Sequence, residues 1–171
     1  MKLPLPPMPD LGGVGDFSVL GLWRTLSRVP GGKTAFSRAV AIRAPYFSSI
    51  SPHVERLAPG LCEVRMPDKR SVHNHLGTVH AIAMCNACEV AAGVLAEATT
   101  PATHRWIPKG MEVRYLAKAQ GTLTATGIVD PLPAFGPDGF DMVVPVDVVD
   151  GKGTVVVHAD ITMRITPKPA A

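Results

Sequence analysis

The chain is short of aromatic residues, of charge and of cysteine, and each shortage removes a class of function. Two Trp, two Tyr and five Phe are spread over 171 residues, and 17 Lys and Arg against 14 Asp and Glu leave a net charge of only +3 with no basic cluster. A nucleic-acid surface needs basic and aromatic side chains gathered on one face, so no nucleic-acid partner is expected. Three cysteines, with Cys85 and Cys88 only three apart, have the wrong parity for a disulfide framework and fit a reducing compartment. No uninterrupted apolar run reaches the roughly 20 residues of a membrane span. The opening "MKLPLPPMPD" carries four prolines where a signal peptide needs an unbroken apolar core. No membrane partner and a cytoplasmic location follow as expectations.

What is present is enough apolar content, 46%, for one globular domain that buries roughly two thirds of its unfolded surface. Residues 1 to 15 are rich in Pro and Gly and read as an arm. From Phe17 to Arg28, Val19, Leu20, Trp23 and Leu26 recur at helical spacing and the pattern stops at "PGG". Residues 33 to 50 extend as a second helix up to the Ala44-Pro45 break. The division expected is an N-terminal arm and helix over 1–44 and the main domain over 45–171.

After "HVERLAPGLCEVRM" the period becomes two, with Cys62, Val64 and Met66 alternating with Glu63 and Arg65, which predicts a strand pair or a bent strand. From about Thr78 to Ala98 small and aliphatic residues occupy nearly every face, the mark of a buried helix. Met111 to Ala117, Gly121 to Val129, Met142 to Val149 and Thr154 to Thr166 follow as strands bounded by Gly, Pro or Asp. In the last, Val155, Val157, Ala159, Ile161, Met163 and Ile165 face one way. With no helix between them these four strands predict an antiparallel meander packed on the buried helix, an α+β architecture.

The chemistry concentrates in "HNHLGTVHAIAMCNACE", residues 73 to 89. Zinc would have to use His73, His75, His80, Cys85 and Cys88, but the cysteines lie inside an apolar helix and no second ligand pair completes a set of four. A redox pair needs its thiolate at a helix N-terminus, whereas these cysteines are mid-helix. A nuclease reading of "HNH" needs a metal-binding ββα context that is missing. The cysteines therefore read as small core residues, and no metal or cofactor is expected.

Three residues remain. Asn74 and the Gly77-Thr78 pair stand where a loop feeds the helix, whose first-turn amides lack intrahelical acceptors and form an anion or oxyanion site. Glu89 is the only charge between His80 and Glu97 on a helix that wants burial, so it is either a salt-bridge or solvent-facing residue, or a catalytic carboxylate. Nine residues place it about 180° round the helix from His80 and about 13 Å along it. One chain cannot bring them together; two antiparallel copies about a twofold axis can.

"NHLGTVHA" leading into a long central helix with a carboxylate inside it, followed by antiparallel strands, resembles the hotdog-fold superfamily over roughly residues 45 to 166. The nearest branch looks like the phenylacetic-acid-degradation and hydroxybenzoyl-CoA type of acyl-CoA thioesterase. The matching pattern is Asn, then six on His-Gly-Gly, then a carboxylate nine after the His. The resemblance implies that Asn74 and the Ala81 amide polarise a thioester carbonyl and that Glu89 of a second subunit acts as base or nucleophile. His80 is expected to order the loop, bonding backbone rather than substrate. The chain departs from the family at Ala81-Ile82, where relatives have Gly-Gly, and at Gly93, where some place a hydroxyl. "RWIPKGMEVRYLAKAQG", residues 105 to 121, is similar to a sub-branch of unassigned activity.

The expected function is acyl-CoA thioester hydrolysis by a homo-oligomer, dimer or tetramer. Gly77 and Ile82 would line the substrate path, and Arg105 and Lys109, with Arg114 and Lys118 beyond them, would meet the carrier's phosphates. A non-catalytic acyl or acyl-CoA binding protein is the alternative, and a dehydratase or hydratase on the same fold a third reading.

Overall fold

A computed structural model describes residues 18–169; the arm read over residues 1 to 15 lies outside them. Helix α1 (Val19–Leu26) opens on Ser18, whose hydroxyl accepts from the Gly21 amide at 3.0 Å, an ordinary N-cap. It ends at the proline-glycine stop. Gly31 has φ +76, and a Cβ on Gly32 would sit 1.8 Å from the Leu26 carbonyl oxygen, so the turn into helix α2 (Gly32–Arg43) closes only with glycine there. Before Pro45 the backbone of Ala44 leaves helical space, and Pro45–Ile50 continues as a 3-10 turn rather than as helix. Trp23 and Phe36 meet edge to face at 5.1 Å and join the main core.

Strands β1 (His53–Ala58) and β2 (Leu61–Met66) form the expected antiparallel pair. The long helix α3 (Ala81–Thr99) comes next, then β3 (His104–Tyr115), β4 (Leu123–Ile128), β5 (Phe140–Val149) and β6 (Val155–Pro167). All strands make one antiparallel sheet in the order β1-β2-β4-β5-β6-β3. The meander expected of the last four strands is therefore corrected: β4, β5 and β6 are consecutive neighbours, but β3 crosses to the far side of β6 and becomes an edge. β3 also begins seven residues earlier than Met111. It runs through Pro108 because an edge strand needs no amide there, and it absorbs Lys109 as a bulge between Pro108 and Gly110. A second irregularity, where Val149 pairs with Val155 and Val148 with Val157, turns Val155 outward and Val156 inward.

The sheet curves over α3. Met84, Cys88, Ala91 and Leu95, spaced three and four apart, point into it and are buried, as are the inward residues of β6 from Val157 to Ile165. By length and a mean hydropathy of 1.4, α3 would qualify as a membrane span, although Asn86 and Glu89 interrupt its apolar run. Its apolar surface is already taken up by the sheet on one side and by the N-terminal helices on another.

Candidate functional site

The loop before α3 is a closed turn built around one side chain. His73 and Val79 form an isolated bridge, and between them the Asn74 amide donates to the Thr78 carbonyl at 2.8 Å. The Asn74 Oδ1 accepts from the Leu76 and Thr78 amides at 2.9 and 3.2 Å, and its Nδ2 donates to Thr78 Oγ1 at 2.8 Å. That is an Asx-turn, which leaves one carboxamide N–H uncommitted. Gly77 takes φ +73, a left-handed conformation that the turn needs. Val79 and His80 donate to the carbonyls of Ala119 and Val72, which delays helical geometry from the expected Thr78 to Ala81.

His80 is the N-cap of α3: its Nδ1 accepts from the Ile82 amide at 3.1 Å. The proton is thereby assigned to Nε2, so the ring is a donor to whatever approaches and has no free base nitrogen. The Ala81 amide has no acceptor among the described residues, which leaves one first-turn donor available. Ile82 stands 55% exposed and is not part of the core.

Glu89 is half-buried and makes no hydrogen bond or ion pair among the described residues. Its surroundings follow from the helix period. Cys85, Glu89, Gly93 and Glu97 are spaced by four and share a face. Cys85 Sγ meets the Tyr115 hydroxyl at 3.1 Å, and the Trp106 indole N–H donates to Glu97 at 2.6 Å above Gly93. Tyr115 and Trp106 are both on β3, so Glu89, between Cys85 and Glu97 on the helix, borders that edge strand, on which Ile107 and Tyr115, and Leu116 just past its end, are exposed. The hydrogen bond between the Tyr115 hydroxyl and Cys85, with some burial, pushes the Tyr115 hydroxyl up to about 12.

Asn74, Gly77, His80, Ala81 and Ile82 are thus together at the N-terminal end of α3, and Glu89 is apart from them on the same helix. Arg105 and Lys109 are not part of this group, because β3 enters the sheet from the C-terminal end of α3. Lys109 is paired with Asp141 at 2.5 Å, and this hydrogen bond, with that of Arg164, holds the Asp141 carboxyl below the usual range. Arg105 is exposed, donates to Thr166 Oγ1 at 3.2 Å, and lines a cleft of about 480 Å³ with Trp106, Glu97 and Lys168.

The residues considered for zinc are dispersed. His73 pairs with Asp68, His80 caps the helix, and among the described residues no group of three or more His, Cys, Asp or Glu could hold a metal ion. All three cysteines are free thiols. Desolvation pushes Cys88 up to about 12 and Cys62 higher still, the opposite of an activated thiolate. Titration of the native protein with an aromatic disulfide reagent should therefore modify Cys85 alone, and Cys62 and Cys88 only after denaturation. Rapid labelling of all three in the native state would contradict this core.

Two residues escaped the sequence reading. Tyr115 gave no sign of its contact with Cys85, since strand order was needed to bring them together. Asn86 did give a sign: it is a second polar residue on an apolar helix, 5% exposed, with its Nδ2 on Ser49 Oγ at 3.1 Å and its Oδ1 without a protein partner.

Residues 32–165 match the family described as a domain of unknown function, DUF4442, and the chain belongs to that family. Among solved structures it is similar to a structural-genomics protein, APC5556, at 41% identity and a TM-score of 0.76, covering 88% of this chain and 99% of that one. It is also similar to a Pseudomonas aeruginosa protein of unknown function described as a probable thioesterase, PA5026, at 20% identity and a TM-score of 0.71, covering 82% and 97%. A thioesterase from Haemophilus influenzae, HI1161, aligns at 12% identity with a TM-score of 0.62, covering 71% and 82%. The fold is the hotdog fold, among thioesterase-like neighbours. No curated protein matches the chain.

Proposed function

We propose that the protein hydrolyses an acyl-CoA thioester at a site shared by two copies of the chain. The observation that carries this reading is Glu89, a half-buried carboxylate with no described partner in its own chain, on the helix face that borders the open edge of β3. A charge in that position costs free energy unless something meets it. In an antiparallel pair of α3 helices, the loop around Asn74 from one copy approaches Glu89 of the other. The carbonyl oxygen of the thioester accepts from the Ala81 amide and from the uncommitted N–H of Asn74. Glu89 takes the proton of an attacking water, or attacks the carbonyl carbon itself. The tetrahedral oxyanion then collapses, the C–S bond breaks, and the CoA sulfur leaves as thiolate; in the water route it takes the proton held by Glu89, and in the direct route the acyl group is left as a mixed anhydride on Glu89, which a water molecule hydrolyses to free acid and carboxylate while its proton goes to the thiolate. Arg105 is the phosphate contact in this scheme; Lys109 is already neutralised by Asp141.

Residues 1–44 are an N-terminal addition to the hotdog domain of residues 45–171, and the free thiols fit a cytoplasmic location. A long edge strand, unpaired on its outer side among the described residues, invites pairing with a second copy. Size exclusion with light scattering should give a dimer or tetramer at micromolar concentration, and a persistent monomer would remove the shared site.

One observation favours the binding-protein reading: three bonds of the Asn74 carboxamide are spent on its own loop. Thiol release across a panel of acyl-CoAs separates the two. Turnover supports the hydrolase, and micromolar binding without turnover of any member replaces it with the binder. The dehydratase reading has less support, because the N-cap bond of His80 occupies the nitrogen a base would use.

A further inference from the structure

The cleft of about 480 Å³ that Arg105 and Lys168 line lies where the end of α3, the start of β3 and the start of α1 meet. The sheet sets its two cations side by side. Arg105 pairs with Thr166 across β3 and β6, and the amide of Lys168, two residues on, donates to the Thr103 carbonyl just before β3. On the same sheet Lys109, Arg114 and Arg164 are each paired with an aspartate, whereas Arg105 and Lys168 meet no carboxylate among the described residues. Arg105 commits only its Nε–H, to Thr166, which leaves both terminal nitrogens of the guanidinium for an anion. Among the described residues of the wall the one carboxylate is Glu97, and it accepts from the Trp106 indole. The carboxyl end of α3 and the amino end of α1 both border the cleft, so their dipoles oppose each other and the side chains decide its sign. Two cations against one hydrogen-bonded carboxylate make it positive.

We propose that this cleft seats the phosphates of coenzyme A, so that the protein distinguishes a CoA thioester from the same acyl group on bare pantetheine. The proposal rests on the hydrolase reading for the place of the thioester beside Glu89. Glu89, Gly93 and Glu97 follow one another along α3 at intervals of four. The Trp106 ring stands over Gly93, 3.4 Å from where a Cβ would be, and its N–H is on Glu97. Trp106 and Glu97 thus border the helix face of Glu89 and also line the cleft. Eight residues of helix separate Glu89 from Glu97, about 12 Å along the axis. Between the sulfur of a CoA thioester and its first phosphorus lie about thirteen bonds, roughly 15 Å when extended. The arm therefore spans the distance with little slack, and its charged end arrives where the cations are.

Calorimetry with adenosine 3′,5′-bisphosphate, which carries phosphates of the CoA nucleotide without the arm, reads the cleft with no turnover, and adenosine is the uncharged control. The bisphosphate should bind at least about tenfold more tightly than adenosine and weaken as salt is raised. Arg105→Gln and Lys168→Gln should each lower its affinity by about tenfold, the worth of one hydrogen bond to a charged group. Lys152→Gln, which removes a charge from the turn at the other end of β6, should not. All three side chains are exposed, so the fold should survive each change. In turnover, with the acyl group hydrolysed fastest in the panel above, the ratio of kcat/KM for its CoA thioester to that for its pantetheine thioester should fall in the same two variants. No binding of the bisphosphate, binding no tighter than that of adenosine, or an affinity that survives both substitutions overturns the proposal. Thiol release at equal kcat/KM from the CoA and pantetheine thioesters keeps the hydrolase and sinks the cleft. Bisphosphate binding that depends on Arg105 and Lys168, without thiol release from any acyl-CoA, keeps the cleft and sinks the hydrolase.

Discussion

Glu89→Gln is expected to lower thioester turnover by about 10²–10⁴, the usual worth of a positioned acid or base, and to leave the fold intact. The substitution keeps the shape of the side chain and removes only its charge. In a single chain it breaks no described hydrogen bond or ion pair, because Glu89 has none to lose. Folding should therefore be unaffected or slightly favoured, since a half-buried charge without a partner is relieved. Affinity for the acyl-CoA should change far less than rate, because the carboxylate acts on charge that develops in the transition state. The measurements are thiol release under saturating and limiting substrate, and thermal denaturation of the same preparation. A variant that hydrolyses at the wild-type rate but melts at a different temperature makes Glu89 structural.

The elements that place Glu89 could be read from the sequence because local pattern specifies them. The period of α1, the glycine stop after it, the alternation in β2 and in β6 from Val157 to Ile165, and the apolar wrap of α3 from Ala81 onward appear where the residues put them, whereas Val155, expected on the face of Val157, is turned outward by the irregularity at Val156. Pairing is a different matter. Which strand lies beside which depends on contacts between distant segments, and the alternation of β3 carries no mark of its neighbour. Its stretch through Ile107, Pro108, Lys109 and Gly110 is exposed and contains a bulge, so it lacks the alternation that marks a strand and is held extended by its pairing with β6. The same non-locality hid Tyr115 against Cys85 and Ser49 against Asn86. For Asn74 the residue type was legible, but its three bonds within the loop were not. An Asx-turn depends on the backbone closing at Thr78, which follows from the bridge between His73 and Val79.

That loop geometry sharpens what removal of Asn74 should do. Asn74→Ala deletes one candidate oxyanion donor, worth about 10²–10³ in rate, and also leaves the Leu76 and Thr78 amides without their acceptor. Both amides sit in a partly exposed turn, so water can replace the lost oxygen and the global Tm should move little. The two defects are separable by Asn74→Asp, which keeps the acceptor for the loop amides and removes the carboxamide N–H: a loop role is rescued by aspartate, an oxyanion role is not. Combining the variants then tests whether the site is shared. A dimer of one Glu89→Gln chain and one Asn74→Ala chain has one site with both defects and one with neither. Refolding an equal mixture gives half heterodimers, so activity should return to about a quarter of wild type. If Glu89 and Asn74 instead served the same active site within one chain, each mixed dimer would contain two damaged sites. The mixture would then be no more active than the mean of its two parents.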